Sequence, residues 1–514
     1  MKKLLLSTLI IITFFYQSFC QTNANDWTWI KGANTSNQVA NFGTKGVSSS
    51  SNNPGSRTEA LTWVLNNKLY LMGGYGNGGA GNDLWVFDPT TNNWTWLSGS
   101  TTPDQLGNYG TKGVPASTNI PSARVNGATW IYNNKLYLMG GSIGIYASCY
   151  NDLWEYDPTS NLWTWLKGSN TFNDEGFYGT QGVANSNNVP RARELCSAWV
   201  YNNRFYLFGG YFHDYGVKPE RILFNDVWEY DPTTNNWRWL KGNKSGLDPI
   251  GIYGTKGNAS SSNLPGARKN SFTWANNEKA YIFGGNGWYS WGGITTLSDL
   301  WEYDATTNNW RWLSGSSLDD AQANGILGVK GVPSATNFVG AREQGSSFFS
   351  NNKLFIMGGF GKIDNYSYRD DVWEYNLSTN YWTWLKGSST GGTTGIYGTQ
   401  GVSNSNNNPG ARYNHQGWYA NAQYYMMGGI VNSNGAFNDL WLYVPTCTEM
   451  ISVSSGDWND INTWSCKRIP TATDDVTING HIIAVNGNCF AKKVIKKVGA
   501  IINVASGGNL KVGN

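Results

Sequence analysis

Short apolar runs of four or five residues, separated by Gly, Asn, Asp and Pro, recur along most of this chain. In the first full example, a run from Arg57 to Leu65 meets Asn66-Asn67, and Lys68-Leu69-Tyr70-Leu71-Met72 follows and stops at Gly73-Gly74. Asp83-Leu84-Trp85-Val86-Phe87 comes next, then Asp88-Pro89-Thr90-Thr91-Asn92-Asn93, then Trp94-Thr95-Trp96-Leu97. Runs this short, rich in aromatic and β-branched residues and bounded by turn formers, predict strands. They are labelled a, b, c and d here. Asn tolerates the positive φ of a tight hairpin, so Asn66-Asn67 predicts a two-residue a–b turn. The same reading gives two-residue a–b turns in every copy and short c–d turns.

The pattern repeats six times. Gly-Gly pairs begin at Gly73, Gly140, Gly209, Gly284, Gly358 and Gly428, each sixteen residues after an Arg: Arg57, Arg124, Arg193, Arg268, Arg342 and Arg412. Between them Trp63, Trp130, Trp199, Trp274, Phe348 and Trp418 hold one aligned position. A four-stranded unit of this size buries its faces only against its neighbours, so an array is predicted. One piece is out of place. Asp26 to Gly32 copies strand d but follows no strand c, while the last strand c, at Asp439, has no strand d after it. The opening stretch is therefore expected to pair with Leu440–Tyr443 and close a ring.

Gly-Gly pairs ending the second strand, with spaced aromatics in the third and fourth, resemble the kelch repeat. The resemblance covers residues 24–446 and implies an all-β fold, a six-bladed kelch-type β-propeller closed by the N-terminal outer strand. The repeats run longer than usual because a second motif, Tyr109-Gly110-Thr111-Lys112-Gly113-Val114, lies between d and the next a, with relatives at Phe42, Tyr178, Tyr253, Leu327 and Tyr397. Its glycines do not have phosphate-loop spacing, and no helix follows.

Strand direction places the b–c and d–a loops on one face of such a propeller. Variable loops on a rigid scaffold are where binding sites concentrate. The b–c loops carry aromatics beside polar groups: Tyr211 and His213 in the third repeat, Trp288, Tyr289 and Trp291 in the fourth, Tyr366 and Tyr368 in the fifth. Rings with nearby Asp, Asn and Arg suit a sugar or a peptide, or they pack on the d–a loops. The six Arg residues are expected near the channel mouth, either as a guanidinium ring for a carboxylate or sulfate or as ties holding each loop to its own blade. Repeat symmetry breaks at Glu59, Asn126, Leu195, Asn270, Gln344 and Asn414, so channel polarity differs by blade.

Composition narrows the function. The 37 Lys and Arg nearly balance the 34 Asp and Glu of this 514-residue chain, which disfavours a nucleic-acid binder. With His213, His415 and His481 as the only histidines, copper chemistry is disfavoured, and no metal or cofactor is expected. Residues 1–20 have a basic start, an apolar stretch and Ser18-Phe19-Cys20, a signal peptide implying export to the extracellular space or cell surface; a lipid anchor on Cys20 is the rival reading. No later segment is apolar enough to span a membrane. Oxidising conditions make disulfides possible, and the candidates are Cys149–Cys196 and Cys466–Cys489. After Pro445 the tryptophans thin out, and residues 447–514 resemble the start of a β-solenoid-type module found on secreted Bacteroidetes proteins. The expected function is that of a monomeric, non-catalytic scaffold binding a glycan or protein through the b–c and d–a loop face. The alternative is a carbohydrate-acting, epimerase- or lyase-like enzyme with its site at the channel mouth.

Overall fold

The computed structural model describes residues 25–513, apart from 77, 144–147, 215–219, 245–248, 277, 290–291, 318–323, 364, 432–434, 446–449, 461–462, 465, 467–468, 471 and 473. The leader and Trp291 lie outside the described residues. Regular elements among the described residues are all strands. In the first blade Leu61–Leu65, Lys68–Met72, Leu84–Asp88 and Asn93–Ser98 pair antiparallel in chain order. Four further blades repeat that order. The sixth consists of Gln416–Ala420, Gln423–Met427, Leu440–Tyr443 and, as its outer strand, Trp27–Lys31. Trp27 lies opposite Tyr443 and Trp29 opposite Trp441, the pairing expected for the displaced N-terminal strand.

The inner strands Leu61–Leu65, Ala128–Tyr132, Ser197–Tyr201, Phe272–Ala275, Ser346–Ser350 and Gln416–Ala420 each lie beside the two flanking inner strands, the last beside the first. The tryptophans of strands a and c and the first Trp of each strand d are core, as their regular spacing implies, while the second Trp of strand d is half-buried. Leu61, Trp63 and Tyr70 of the first blade pack with Leu138, Trp154 and Trp163 of the second. Trp indoles also stitch blades together: Trp63 Nε1 donates to the Tyr137 carbonyl and Trp418 Nε1 to that of Tyr70, both at 2.9 Å. The second bond crosses from the sixth blade to the first.

The Gly-Gly pairs have a specific cause. Gly73 has φ +62°, and a Cβ there would sit 2.5 Å from the Arg124 carbonyl oxygen of the next blade; at Gly428 the same atom would meet the Arg57 carbonyl at 2.5 Å. Only glycine permits both the left-handed backbone and this approach.

Three expectations need correction. Strand a begins at Leu61 rather than Arg57, because Glu59 takes a left-handed φ of 60° that no strand accommodates. The a–b turn of the fourth blade is longer than two residues, since Ala275 pairs with Ala280. The d–a segments do not simply enlarge the loop face. Each runs out along the rim and clasps the exposed edge of the next outer strand. In the second blade Gly113 N–H donates to the Trp165 carbonyl at 2.7 Å. Asn119 Nδ2 reaches both Val114 O (2.9 Å) and Trp163 O (3.0 Å). Asn52, Asn188, Asn263, Asn337 and Asn407 do the same on the other outer strands. An uncovered outer strand would offer unpaired backbone groups to other chains. The strap hides it, and the lysine of the repeated motif finishes the seal by stacking on the outer Trp, as Lys112 does on Trp165 at 4.2 Å.

Residues 450–512 form parallel sheets. Met450–Ile451, Asp475–Ile478 and Lys493–Lys496 make one, Gly456–Asp457, Ile482–Val485 and Ile501–Val504 a second, and Asn488–Ala491 with Asn509–Val512 a third. Stacked parallel coils around Trp458, Trp464, Val476 and Ile483 give this module a solenoid arrangement.

Candidate functional site at the channel mouth

The six repeated Arg residues do not form an open guanidinium ring. Each is buried and makes a two-pronged pair with the Asp that opens strand c: Arg57 with Asp83, Arg124 with Asp152, Arg193 with Asp226, Arg268 with Asp299, Arg342 with Asp371, Arg412 with Asp439. The same guanidinium donates to the first Gly carbonyl of its blade, as Arg124 does to Gly140 at 2.9 Å. The Trp two residues after the Asp donates its indole N–H to the carboxylate, as Trp154 does to Asp152 at 2.7 Å. With both terminal guanidinium nitrogens and both carboxylate oxygens engaged in every blade, the clasp fixes the start of the inner strand and leaves no exposed fork for an incoming anion.

What the clasp positions is the three residues that follow. In every repeat the second residue after the Arg is left-handed: Glu59, Asn126, Leu195, Asn270, Gln344 and Asn414, with φ between 54° and 61°. Their backbones bond from blade to blade: Asn126 N–H to Glu59 O, Leu195 to Asn126, Asn270 to Leu195, Asn414 to Gln344 and Glu59 to Asn414. Their side chains ring the central channel and line a cavity of about 200 Å³, together with Ala60, Gly127, Cys196, Ser271, Gly345, His415 and Gln416. A left-handed backbone is costly for Leu and Gln. The ring keeps these residues so because the conformation points all six into one opening.

The residues directly after the Arg add charge. Glu194 takes hydrogen bonds from Ser142 Oγ (2.7 Å) and Asn126 Nδ2 (3.2 Å) and lies 3.1 Å from His213 Nε2. Thr296 Oγ1 donates to Glu343 at 3.3 Å. Lys269 Nζ sits 4.1 Å over the Tyr211 ring. Tyr413 stacks on Tyr368, centroids 4.6 Å apart. Asn414 Nδ2 donates to Glu59 at 2.7 Å. Burial, reinforced by the negative charge of Glu194, pushes the Glu59 carboxyl up to about 7. Burial also raises Glu343. Burial, then the nearby positive Arg412, holds the His415 imidazole down at about 3, so it stays neutral.

Of the loop aromatics singled out by the sequence, Tyr211, His213 and Tyr368 join this mouth. Tyr211 and His213 lie on a β-hairpin formed by Tyr211–Asp214 and Glu220–Leu223. Trp288, Tyr289 and Tyr366, half-buried on hairpins of the fourth and fifth blades, are not among the residues that line the cavity. Trp288 N–H bonds the Ala267 carbonyl, and Tyr366 stacks on Phe360 at 5.3 Å. Sequence reasoning missed Glu194, Lys269, Glu343 and Tyr413. The signal was available, since the residue after the invariant Arg varies among the repeats: Thr58, Val125, Glu194, Lys269, Glu343, Tyr413. The two disulfides do not form. Cys149, Cys196 and Cys489 are free thiols; Cys196 Sγ instead turns to the Glu194 and Gly209 carbonyls. No group of His, Cys, Asp and Glu suited to hold a metal occurs among the described residues.

Antiparallel four-stranded blades around a polar channel define this protein as a β-propeller. Its repeats are kelch repeats: a model of the KLHDC2/KLHL20/DRC7 Kelch-repeats domain matches residues 19–169, and Kelch motifs match 192–238 and 342–389. The chain is 24% identical over 258 residues to Kelch domain-containing protein 3 of Rattus norvegicus, covering 49% of this chain and 52% of that one. It is 24% identical over 271 residues to Kelch domain-containing protein 2 of Bos taurus, covering 50% and 54%. The chain thus spans about half the length of these relatives. It is also 23% identical over 330 residues to N-acetylneuraminate epimerase of Escherichia coli, covering 62% and 64%. Kelch-domain relatives of this kind are consistent with a binding scaffold.

Proposed function

We propose that the protein is an exported, non-catalytic binding scaffold that takes a glycan at the mouth of its channel. The carrying observation is the left-handed ring, whose side chains are four amides, one carboxylate and one leucine. Amides supply donors and acceptors together, which suits the paired hydroxyls of a sugar, and Tyr211 and Tyr368 stand beside them as apolar faces. A protein partner would instead favour a broad surface of exposed aromatics, whereas Trp288, Tyr289 and Tyr366 are half-buried. Glycan-array binding by the full chain tests the reading. Binding that survives Asn270→Ala and Gln344→Ala, or no glycan bound at all, would count against it.

A second reading has one observation in its favour. Glu59 titrates near neutrality, as a general acid or base does, and the chain resembles a sugar epimerase over more than half its length. Exchange of solvent deuterium into a bound sugar, abolished by Glu59→Gln, would establish this alternative.

A further inference from the structure

We propose that the channel mouth selects a glycan bearing a primary ammonium group, an amino sugar, and seats that group against Glu59. This rests on the glycan reading above and adds the charge of the ligand.

Glu59 lines the cavity, with Glu194 close enough to act on it electrostatically; Lys269, which sits over the ring of Tyr211, offsets part of the negative charge of Glu59 and of Glu343. Glu194 is held by Ser142, Asn126 and His213. Glu59 is buried beside Glu194 and is met by the amides of Asn414, at 2.7 Å, and Asn126, with the positive charge of Lys269 nearby; burial and the Glu194 charge outweigh these and raise its carboxyl. A carboxylate in this state gains most from a cation brought into contact with it.

Independent of the acidic groups, two residues lining the same cavity carry buried polar atoms without hydrogen-bond partners. Gln416 is 3% exposed; its Nε2 donates to the Asn414 carbonyl at 3.1 Å, which fixes the amide and leaves Oε1 as an unbonded acceptor. His415 is 7% exposed, with Nε2 on Ser346 Oγ at 2.6 Å and Nδ1 unbonded. An orphaned buried acceptor is costly in a folded protein, and one that lines a cavity points to a ligand donor. An ammonium carries three donors and no acceptor. A carboxylate and an amide oxygen around a small chamber match that inventory. The other blades put Ala60, Gly127, Cys196, Ser271 and Gly345, all small, at the position of His415, which leaves room for the group to enter.

The test is calorimetric titration of the full chain with a glucosamine oligosaccharide and with its N-acetylated counterpart, at a pH just above neutral. The expected result is binding of the amine form at least tenfold tighter than the acetylated form, with a loss of at least fivefold in Glu59→Gln. That variant is expected to fold, since four other blades carry an amide at this position; an unchanged melting temperature checks this. Equal affinity for both sugars overturns the inference while keeping the glycan reading. Unaltered binding by Glu59→Gln also overturns it. Binding of neither sugar, or of a lysine-bearing peptide in their place, overturns both.

Discussion

Arg124 and Asp152 meet in two parallel hydrogen bonds of 2.8 Å each, with neither side chain exposed to solvent. The pair recurs in all six blades, and its role is to hold the channel-lining residues in place.

Breaking one clasp by Asp152→Ala strands a buried guanidinium and is expected to cost about 3–5 kcal/mol, read by urea denaturation. The partly exposed pair Lys68–Asp88, 3.2 Å apart, serves as contrast: Lys68→Ala should cost less than about 1 kcal/mol. Equal costs at the two sites would contradict the assignment of the Arg ring to structure.

Trp27 is buried against Tyr424, Trp441 and Tyr443, so the last blade depends on the first strand. Trp27→Ala should destabilise by about 3–5 kcal/mol. Hydrogen exchange should show protection lost first at Leu440–Tyr443, more than four hundred residues away in sequence. Loss confined to the N-terminal strand would mean that the two do not unfold together.

The rim straps give a smaller, local effect. Asn119→Ala removes two hydrogen bonds and leaves the Val114 and Trp163 carbonyls without them, at a cost of about 1–3 kcal/mol. The freed edge of Leu162–Lys167 should raise the tendency to associate, seen as concentration-dependent light scattering.

The Glu59 carboxyl is raised in the folded protein, so the folded state holds this proton more tightly than the unfolded chain. Its contribution to stability is complete at low pH and is lost as pH rises through about 7. Between roughly pH 5 and pH 8 the wild type should lose on the order of 2 kcal/mol that Glu59→Gln does not lose. Parallel melting curves for the two proteins across that window would refute the buried, under-compensated state of Glu59.

Much of the architecture was legible because a repeat reports the same local chemistry six times. The Arg-to-Gly-Gly spacing marked each inner hairpin, and the unmatched strands at Asp26 and Asp439 implied closure between the two ends. The site was harder to read. The aromatics Trp288, Tyr289 and Tyr366 stood out as residue types but are not among those lining the channel cavity. Glu194, Lys269 and Glu343 are ordinary surface-type residues that gain meaning only by converging. The cysteines misled for the same reason: proximity in an expected ring says nothing of where each sulfur points, and Cys196 turns to backbone carbonyls.

The sequence by itself determined the strands, their order and the identity of the missing partner, because periodicity, turn chemistry and glycine spacing are local properties repeated in register. Tertiary structure decided which polar residues face the channel and which are consumed in clasps and straps. That choice depends on a left-handed backbone at one residue in each blade and on contacts between blades, and neither is encoded in any single repeat.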